Sequence, residues 1–277
     1  MSPFRASAPI VRDSDWHHFD LTVEQGVATI ILDRPQKLNA LTFDAYADLR
    51  DLFTELPHRG DARAVILTGS GRGFCSGGDV EEIIGELQKM EAAKLLEFTR
   101  MTGAAVKAMR ECPLPVIAAV YGIAAGAGSV LALASDLRLL ARSASFAFLF
   151  TRVGLAGADM GSAYLLPRIV GLGRATELLM LGDRIDGESA LRIGLANELV
   201  DDGDLSQRAE AIARRLADGP SLAYATTKSL IAKEQDMGLA AAIELEAVTQ
   251  ALLMKSHDHG EFYAAWNDGR DPDWRGR

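Results

Sequence analysis

The hydrophobic pattern of this 277-residue chain changes period several times. Val27-Ala28-Thr29-Ile30-Ile31-Leu32 is a short β-branched run bounded by Gly26 and Arg34-Pro35, which predicts a strand. A helix is predicted next: Thr42 fits an N-cap, and Phe43, Tyr46, Leu49, Phe53 and Leu56 recur near helical spacing. Residues 64–69 read as another buried strand, and a glycine-rich turn over 69–78 leads into a helix starting near Asp79. A strand over 115–120 runs into Gly122-Ile123-Ala124-Ala125-Gly126-Ala127-Gly128, which opens a small-residue helix over 129–135 and then a strand over 136–140. Strand, glycine turn, helix and strand in repetition predict an α/β layered domain. Beyond about residue 204 only helical spacing remains, over 206–218 and 221–257. Residues 1–204 are therefore expected to form the core and 205–277 a C-terminal helical region.

Composition narrows the function classes. Hydrophobic residues make up 48% and charged residues 24%, which is ordinary for a globular chain and excludes wholesale disorder. The net charge of −9, without a basic run, argues against nucleic-acid binding. It leaves room for an anionic ligand, because a helix N-terminus can hold a phosphate. Cys75 and Cys112 can build neither a disulfide framework nor a zinc spacing, and a reducing, cytoplasmic setting is the simplest reading. Residues 1–20 contain no apolar h-region, so no secretory signal is expected. The longest apolar stretch, 115–140, is broken by Gly122, Gly126 and Gly128, so no membrane span is expected. There is no Cys/His cluster and no Gly-x-x-x-x-Gly-Lys run, so no metal or redox cofactor is expected.

Two segments carry a family resemblance. Gly71-Arg72-Gly73-Phe74-Cys75-Ser76-Gly77-Gly78-Asp79-Val80 resembles the crotonase signature in which Phe-x-[Ala/Ser]-Gly-x-Asp closes a turn after a strand. Ala119-Val120-Tyr121-Gly122, through Gly126-Ala127-Gly128 to Asp136, is similar to that family's glycine-rich strand–loop–helix. Arg34-Pro35 with Asn39-Ala40-Leu41, Leu166-Pro167-Arg168, Gly173-Arg174-Ala175 and Gly194-Leu195-Ala196-Asn197 match in the same order. The chain thus resembles the crotonase (enoyl-CoA hydratase/isomerase) superfamily over about residues 20 to 270, closest in motif to its isomerase-type members. The resemblance implies a core of ββα repeats wound into a spiral, with a C-terminal helical appendage. It implies an acyl-CoA thioester substrate, with coenzyme A as part of the substrate rather than a cofactor. It also implies homotrimers or hexamers, for which residues 239–253 have enough apolar content to serve as an interface.

A thioester enolate gathers negative charge on one oxygen. Two backbone N–H groups aimed at it stabilise it, by roughly 3–4 kcal/mol per donor. Backbone donors approach that closely only where side chains are small. By position in the motifs, the resemblance implies the N–H groups of Ser76 and Ala127 as the donors, with Ser76, Gly77, Asp79, Val80 and Gly126 lining the acyl-CoA site.

The chain departs from the family at the two glutamates with which hydratases add water: the matching positions are Val130 and Phe150. Neither can transfer a proton, which argues against the two-glutamate mechanism. The resemblance leaves one carboxylate, Asp159, eight residues before Pro167, where superfamily isomerases hold an aspartate. An alternative role for Asp159 is to cap a helix over 162–169. Glu81 and Glu82 are weaker candidates, read first as solvated helix-start carboxylates. Tyr164 and Ser162 suit core or capping roles, and Cys75 has no visible base and reads as a buried thiol. His17, His18, His58, His257 and His259 match no family position. The favoured reading is an isomerase-type enzyme acting through Asp159. The alternatives are a hydratase, lyase or thioester hydrolase with other acid–base groups, and a non-catalytic acyl-CoA-binding protein.

Overall fold

The computed structural model describes residues 16–277. The expectation that the N-terminus lacks a secretory signal falls, for residues 1–15, outside the described residues. The strands are β1 (Phe19–Glu24), β2 (Val27–Leu32), β3 (Ala64–Gly69), β4 (Val116–Val120), β5 (Ile123–Ala125), β6 (Leu137–Ala141), β7 (Ser145–Ala147), β8 (Ile185–Asp186) and β9 (Glu198–Val200). The helices of the first half are α1 (Phe43–Arg59), α2 (Gly85–Leu87), α3 (Ala92–Glu111) and α4 (Ala127–Ala134). Those of the second half are α5 (Ser162–Val170), α6 (Leu172–Leu181), α7 (Gly187–Arg192), α8 (Leu205–Ala217), α9 (Ser221–Glu234), α10 (Leu239–Leu253) and α11 (His257–Asp268). One sheet runs β1-β2-β3-β4-β6-β9 and a smaller one β5-β7-β8. β1 and β2 are antiparallel, joined by Gln25 and Gly26 at positive φ, as a two-residue hairpin turn requires. From β2 through β9 the pairing in the larger sheet is parallel.

The parallel strands read as unbroken apolar runs because both faces of the sheet are covered. Ala28, Ile30, Leu32, Val65, Leu67, Ala118 and Val120 face the main core, under α1 and α3. The alternate residues Val27, Ala64, Ile66, Ile117, Ala119 and Leu139 face the other way and pack against Leu205, Ala209, Ala213 and Ala217 of α8. That stripe recurs every four residues on α8, and its three alanines let the helix lie close to the strands. The boundary expected at residue 205 therefore does not separate core from appendage: α8 is a layer of the core, and the helices that extend beyond it begin at Ser221. α9 is tied back by Lys228, whose ammonium lies 2.7 Å from Asp136 and donates to the carbonyl of Leu114 at 2.9 Å.

Other expectations shift by local chemistry. Thr42 caps α1 as expected, accepting the Ala45 N–H at 3.1 Å. The helix expected near Asp79 is a π-helical turn over Val80–Ile84. The small-residue helix starts at Ala127, because Gly126 at φ +50 turns the chain there. The segment 221–257 breaks at Gly238 and at Ser256, whose hydroxyl accepts the His259 N–H to start α11. No helix among the described residues is long and apolar enough to cross a membrane.

The two glycine-rich turns meet without intervening side chains. Cys75 N–H donates to Ile123 at 3.0 Å, and Ala125 N–H returns to the Cys75 carbonyl at 2.9 Å. A Cβ on Gly128 would collide with that carbonyl oxygen and lie 2.8 Å from the Cys75 Cβ. Gly128→Ala is therefore expected to lose ~1–3 kcal/mol or more of stability. Gly103→Ala, on α3 with nothing within 4 Å, is expected to gain ~0.5–1 kcal/mol. Urea midpoints measure both, and a Gly128→Ala midpoint equal to the parent's would contradict the close contact.

Candidate active site

The first turn is held by a ring of buried polar contacts. Asn39, 1% exposed and at φ +56, donates from its side-chain amide to the carbonyls of Ser70 and Gly73, each at 2.8 Å. Its Oδ1 accepts the Arg34 N–H at 2.9 Å. Asp79 Oδ1 accepts the N–H groups of Glu81 and Glu82 at 2.9 and 3.0 Å. Its Oδ2 lies 3.2 Å from the Arg34 guanidinium. Burial alone would raise the Asp79 pKa, but the two N–H donors and Arg34 hold it below the ordinary carboxylate value. Asp79, expected to line the ligand site, is thus a buried anchor of the turn, while the neighbouring Val80 is exposed.

These anchors decide which backbone amides remain available. Ser76 N–H donates to the Leu38 carbonyl at 2.9 Å, so the first donor expected from the motif is already committed. Leu41 takes the Gly77 carbonyl at 2.7 Å and the Asp79 N–H at 2.9 Å. This bridge turns the intervening Gly78 N–H to the opposite side. Neither Gly78 N–H nor Ala127 N–H has a partner among the described residues. Hydrogen-bond direction, which the amino-acid letters do not reveal, thus leaves the amide of Gly78 available rather than that of Ser76. Gly77, at φ +104, brings the turns together: a Cβ there would lie 3.4 Å from the Ala127 nitrogen. The position of a Gly126 Cβ is 3.8 Å from the Gly77 Cα. Ala127 opens α4, so its N–H also carries the positive end of the helix dipole.

Asp159 lies in the loop before α5, partly buried. Its Oδ1 accepts the Met160 N–H at 2.9 Å. The N-cap position of α5 is Gly161, and no side chain caps the helix. The Asp159 carboxylate is therefore not a helix cap; only its backbone carbonyl accepts the Ser162 N–H. Burial raises its pKa above the ordinary aspartate value, opposed by the Met160 N–H. Val130 and Phe150, both buried, belong to the same apolar cluster as Ala127, Cys75 and Met160. Tyr46 also borders this region, with its hydroxyl 3.4 Å from the position of a Cβ on Gly78.

The weaker candidates have other partners. Glu81 pairs with Lys37 at 2.5 Å and Glu82 with Arg34 at 2.7 Å, both on the surface. Tyr164 donates to Asp236 and lies under the Arg168 guanidinium, 3.6 Å from the ring centre. Ser162 Oγ donates to the Gly157 carbonyl at 2.9 Å and accepts the Asp159 N–H. His18 meets Thr42 at 3.4 Å, and His257 lies beside Asp258.

Comparison with known proteins fits this arrangement. The family model Enoyl-CoA hydratase/isomerase matches residues 22–277. The chain belongs to the enoyl-CoA hydratase/isomerase family. A "Probable enoyl-CoA hydratase" of Rhodobacter capsulatus is 40% identical over 264 residues, 95% of this chain and 99% of that protein. The "1,2-epoxyphenylacetyl-CoA isomerase" of Escherichia coli K12 is 34% identical over 255 residues, 92% of this chain and 97% of that one. A Streptomyces coelicolor A3(2) crystal structure described as a "putative enoyl-CoA hydratase" superposes with a TM-score of 0.94 at 60% identity, covering 100% of both chains. The crotonase-like α/β core expected from the motifs is the fold of this family member.

Cys75 has the chemistry of a packed thiol. It is fully buried, donates to the Asn39 carbonyl at 3.2 Å, and burial pushes its pKa up to about 12. Cys112 is also buried and shifted upward. Neither is expected to react with iodoacetamide in the native protein at pH 8, and both should react after denaturation, as read by intact mass. Rapid native alkylation at Cys75 would reopen it as a nucleophile.

Proposed function

We propose that this chain binds an acyl-CoA thioester with its carbonyl oxygen between the N–H groups of Gly78 and Ala127, and that Asp159 moves a proton between two carbons of the acyl chain. The ionised carboxylate takes a proton from the carbon next to the carbonyl or from its vinylogue. The C–H electron pair moves into the thioester, giving an enolate whose oxygen the two amides hold. The protonated Asp159 then returns its proton to the other carbon, and the double bond shifts with no gain or loss of atoms. The observation that carries this reading is the Asp159 carboxylate, which does not cap α5, has its pKa raised by burial, and shares its surroundings with the unpaired Gly78 amide through Tyr46. Val130 and Phe150 support isomerisation over hydration, since adding water calls for a second acid–base group. The isomerase named among the relatives supports it too.

Self-association as a trimer or hexamer belongs to the same proposal. Ile243, Val248 and Leu252 on α10 and Trp266 on α11 are exposed apolar residues.

Asp159→Asn is expected to slow substrate proton exchange in heavy water by ~10²-fold or more, measured by NMR on a substrate the parent turns over. Exchange at the parental rate would remove Asp159 from the chemistry, and a mass gain of one water in the product would identify a hydratase instead. Ala127 is the first residue of α4 and its N–H is unpaired, so Ala127→Pro deletes the donor at a position where helices accept proline. A fall of ~10²-fold in turnover by the folded variant is expected.

The pH dependence has a definite sign. The base form of Asp159 is the carboxylate, so the exchange rate should fall as pH drops through a value above the ordinary 3.8. Asp159→Asn should abolish that limb. A carboxyl whose folded pKa is raised binds its proton more tightly folded than unfolded. Its stability contribution is therefore largest at low pH and is lost as pH rises through the folded pKa. At pH 7 Asp159→Asn is expected to melt no lower than the parent, because the amide can still accept the Met160 N–H. A clear drop in Tm would assign Asp159 a structural role.

A further inference from the structure

Tyr46 lies on the inward stripe of α1 and is 3% exposed. Its ring packs edge-on to Phe98 with centroids 6.1 Å apart, and Phe43 packs edge-on to the same ring at 5.3 Å. The hydroxyl end leaves this aromatic cluster on the side of the candidate site. It is 3.4 Å from the position of a Cβ on Gly78, and near enough to Cys75 and Asp159 for their charges to act on it. No hydrogen bond joins Tyr46 Oη to any described residue.

Buried tyrosines ordinarily find a partner for the hydroxyl, because a phenol taken out of water without one keeps only the desolvation cost. The Tyr46 ring is buried, but its oxygen is not sealed from solvent, so the phenol can exchange water for a partner that comes with the ligand. Burial, reinforced by Cys75 and Asp159, pushes the phenol well above its ordinary pKa, so it remains a protonated hydrogen-bond donor.

We propose that Tyr46 donates a hydrogen bond to an oxygen carried on the acyl chain near its third carbon, and that the substrate class is an oxygenated acyl-CoA rather than a plain hydrocarbon one. The inference rests on the proposed placement of the thioester oxygen at Gly78 and Ala127, because Tyr46 Oη, 3.4 Å from the position of a Gly78 Cβ, then faces the acyl chain close to that carbonyl. The chain oxygen then bonds to Tyr46 while Asp159 serves the neighbouring carbons.

Calorimetric titration of the full chain tests this, with acetoacetyl-CoA as the oxygenated probe and butanoyl-CoA as its deoxygenated match. The parent is expected to prefer acetoacetyl-CoA by about tenfold, and Tyr46→Phe, which keeps the ring against Phe98, is expected to bring the ratio of the two Kd values close to one. A parental ratio near one, or a ratio unchanged within about twofold in Tyr46→Phe, overturns the inference. A phenol that only holds Asp159 gives a different signature: the acid limb of the exchange rate moves while the affinity ratio stays, and that outcome also overturns it. Heavy-water exchange on the parent is a separate readout. Its absence counts against the proposed proton transfer, while the affinity ratio still decides the role of Tyr46.

Discussion

The contact between the carbonyl of Cys75 and the backbone of Gly128 is the constraint on which the site depends. It leaves no space for a side chain, so the turn after β3 and the turn after β4 can only meet backbone to backbone. Once they meet, the parallel pairing of Cys75 with Ala124 fixes the register, and the start of α4 follows within three residues. Ala127 N–H is thereby presented at a helix N-terminus, beside the segment that carries Gly78. Two amides from sequence-distant loops are brought near each other by a steric exclusion rather than by an attractive side-chain contact. A single methyl group at Gly128 would push them apart.

A contact that close has to be braced, and the bracing is polar and buried. Asn39 ties three consecutive features of the first loop with one side chain, and it occupies positive φ, which asparagine tolerates better than a bulky residue. Arg34 reaches both the Ala40 carbonyl and the carboxylate of Asp79. Removing one member would leave the others buried without partners, at about 1–3 kcal/mol for each unsatisfied group. The polar residues around the turn therefore serve the geometry of the amides, and Asp79 illustrates this best. It is an acid beside the candidate site whose pKa is lowered, with one oxygen on two backbone amides and the other facing only the Arg34 guanidinium.

The strands, the glycine turns and the order of the layers were legible in the residues, because period-two apolar runs and glycine-rich breaks have few other solutions. The role of α8 was not. Its small-residue stripe reads as an ordinary amphipathic helix, and only the sheet face waiting at Val27, Ala64 and Ile117 makes it part of the core. Which amide of the first turn stays available was hidden for a similar reason. Ser76 and Gly78 are both small residues in one turn, and the difference between them is the carbonyl of Leu38, supplied by another loop. Tyr46 was read as one more apolar position on α1, correctly for its ring but not for its hydroxyl. The one available signal was that a tyrosine stands where a phenylalanine would pack equally well. Asp159 was located by sequence, whereas its freedom from the helix cap is visible only in the path of the loop around Gly161.

The apolar residues Val130 and Phe150 gain meaning when charge is counted through the proposed reaction. Before proton transfer the pocket holds one negative charge, on Asp159. After transfer it still holds one, now on the enolate oxygen, while Asp159 is neutral. The charge moves from one end of the site to the other without its total changing. A raised Asp159 pKa assists this, because the carboxylate that is costly to keep ionised gives up less when it takes the proton. Two further carboxylates at positions 130 and 150 would repel the enolate throughout, at an interaction energy that grows as water is excluded. With valine and phenylalanine in those places, the polar groups that the proposed reaction uses besides Asp159 are donors: the amides of Gly78 and Ala127 and the Tyr46 phenol.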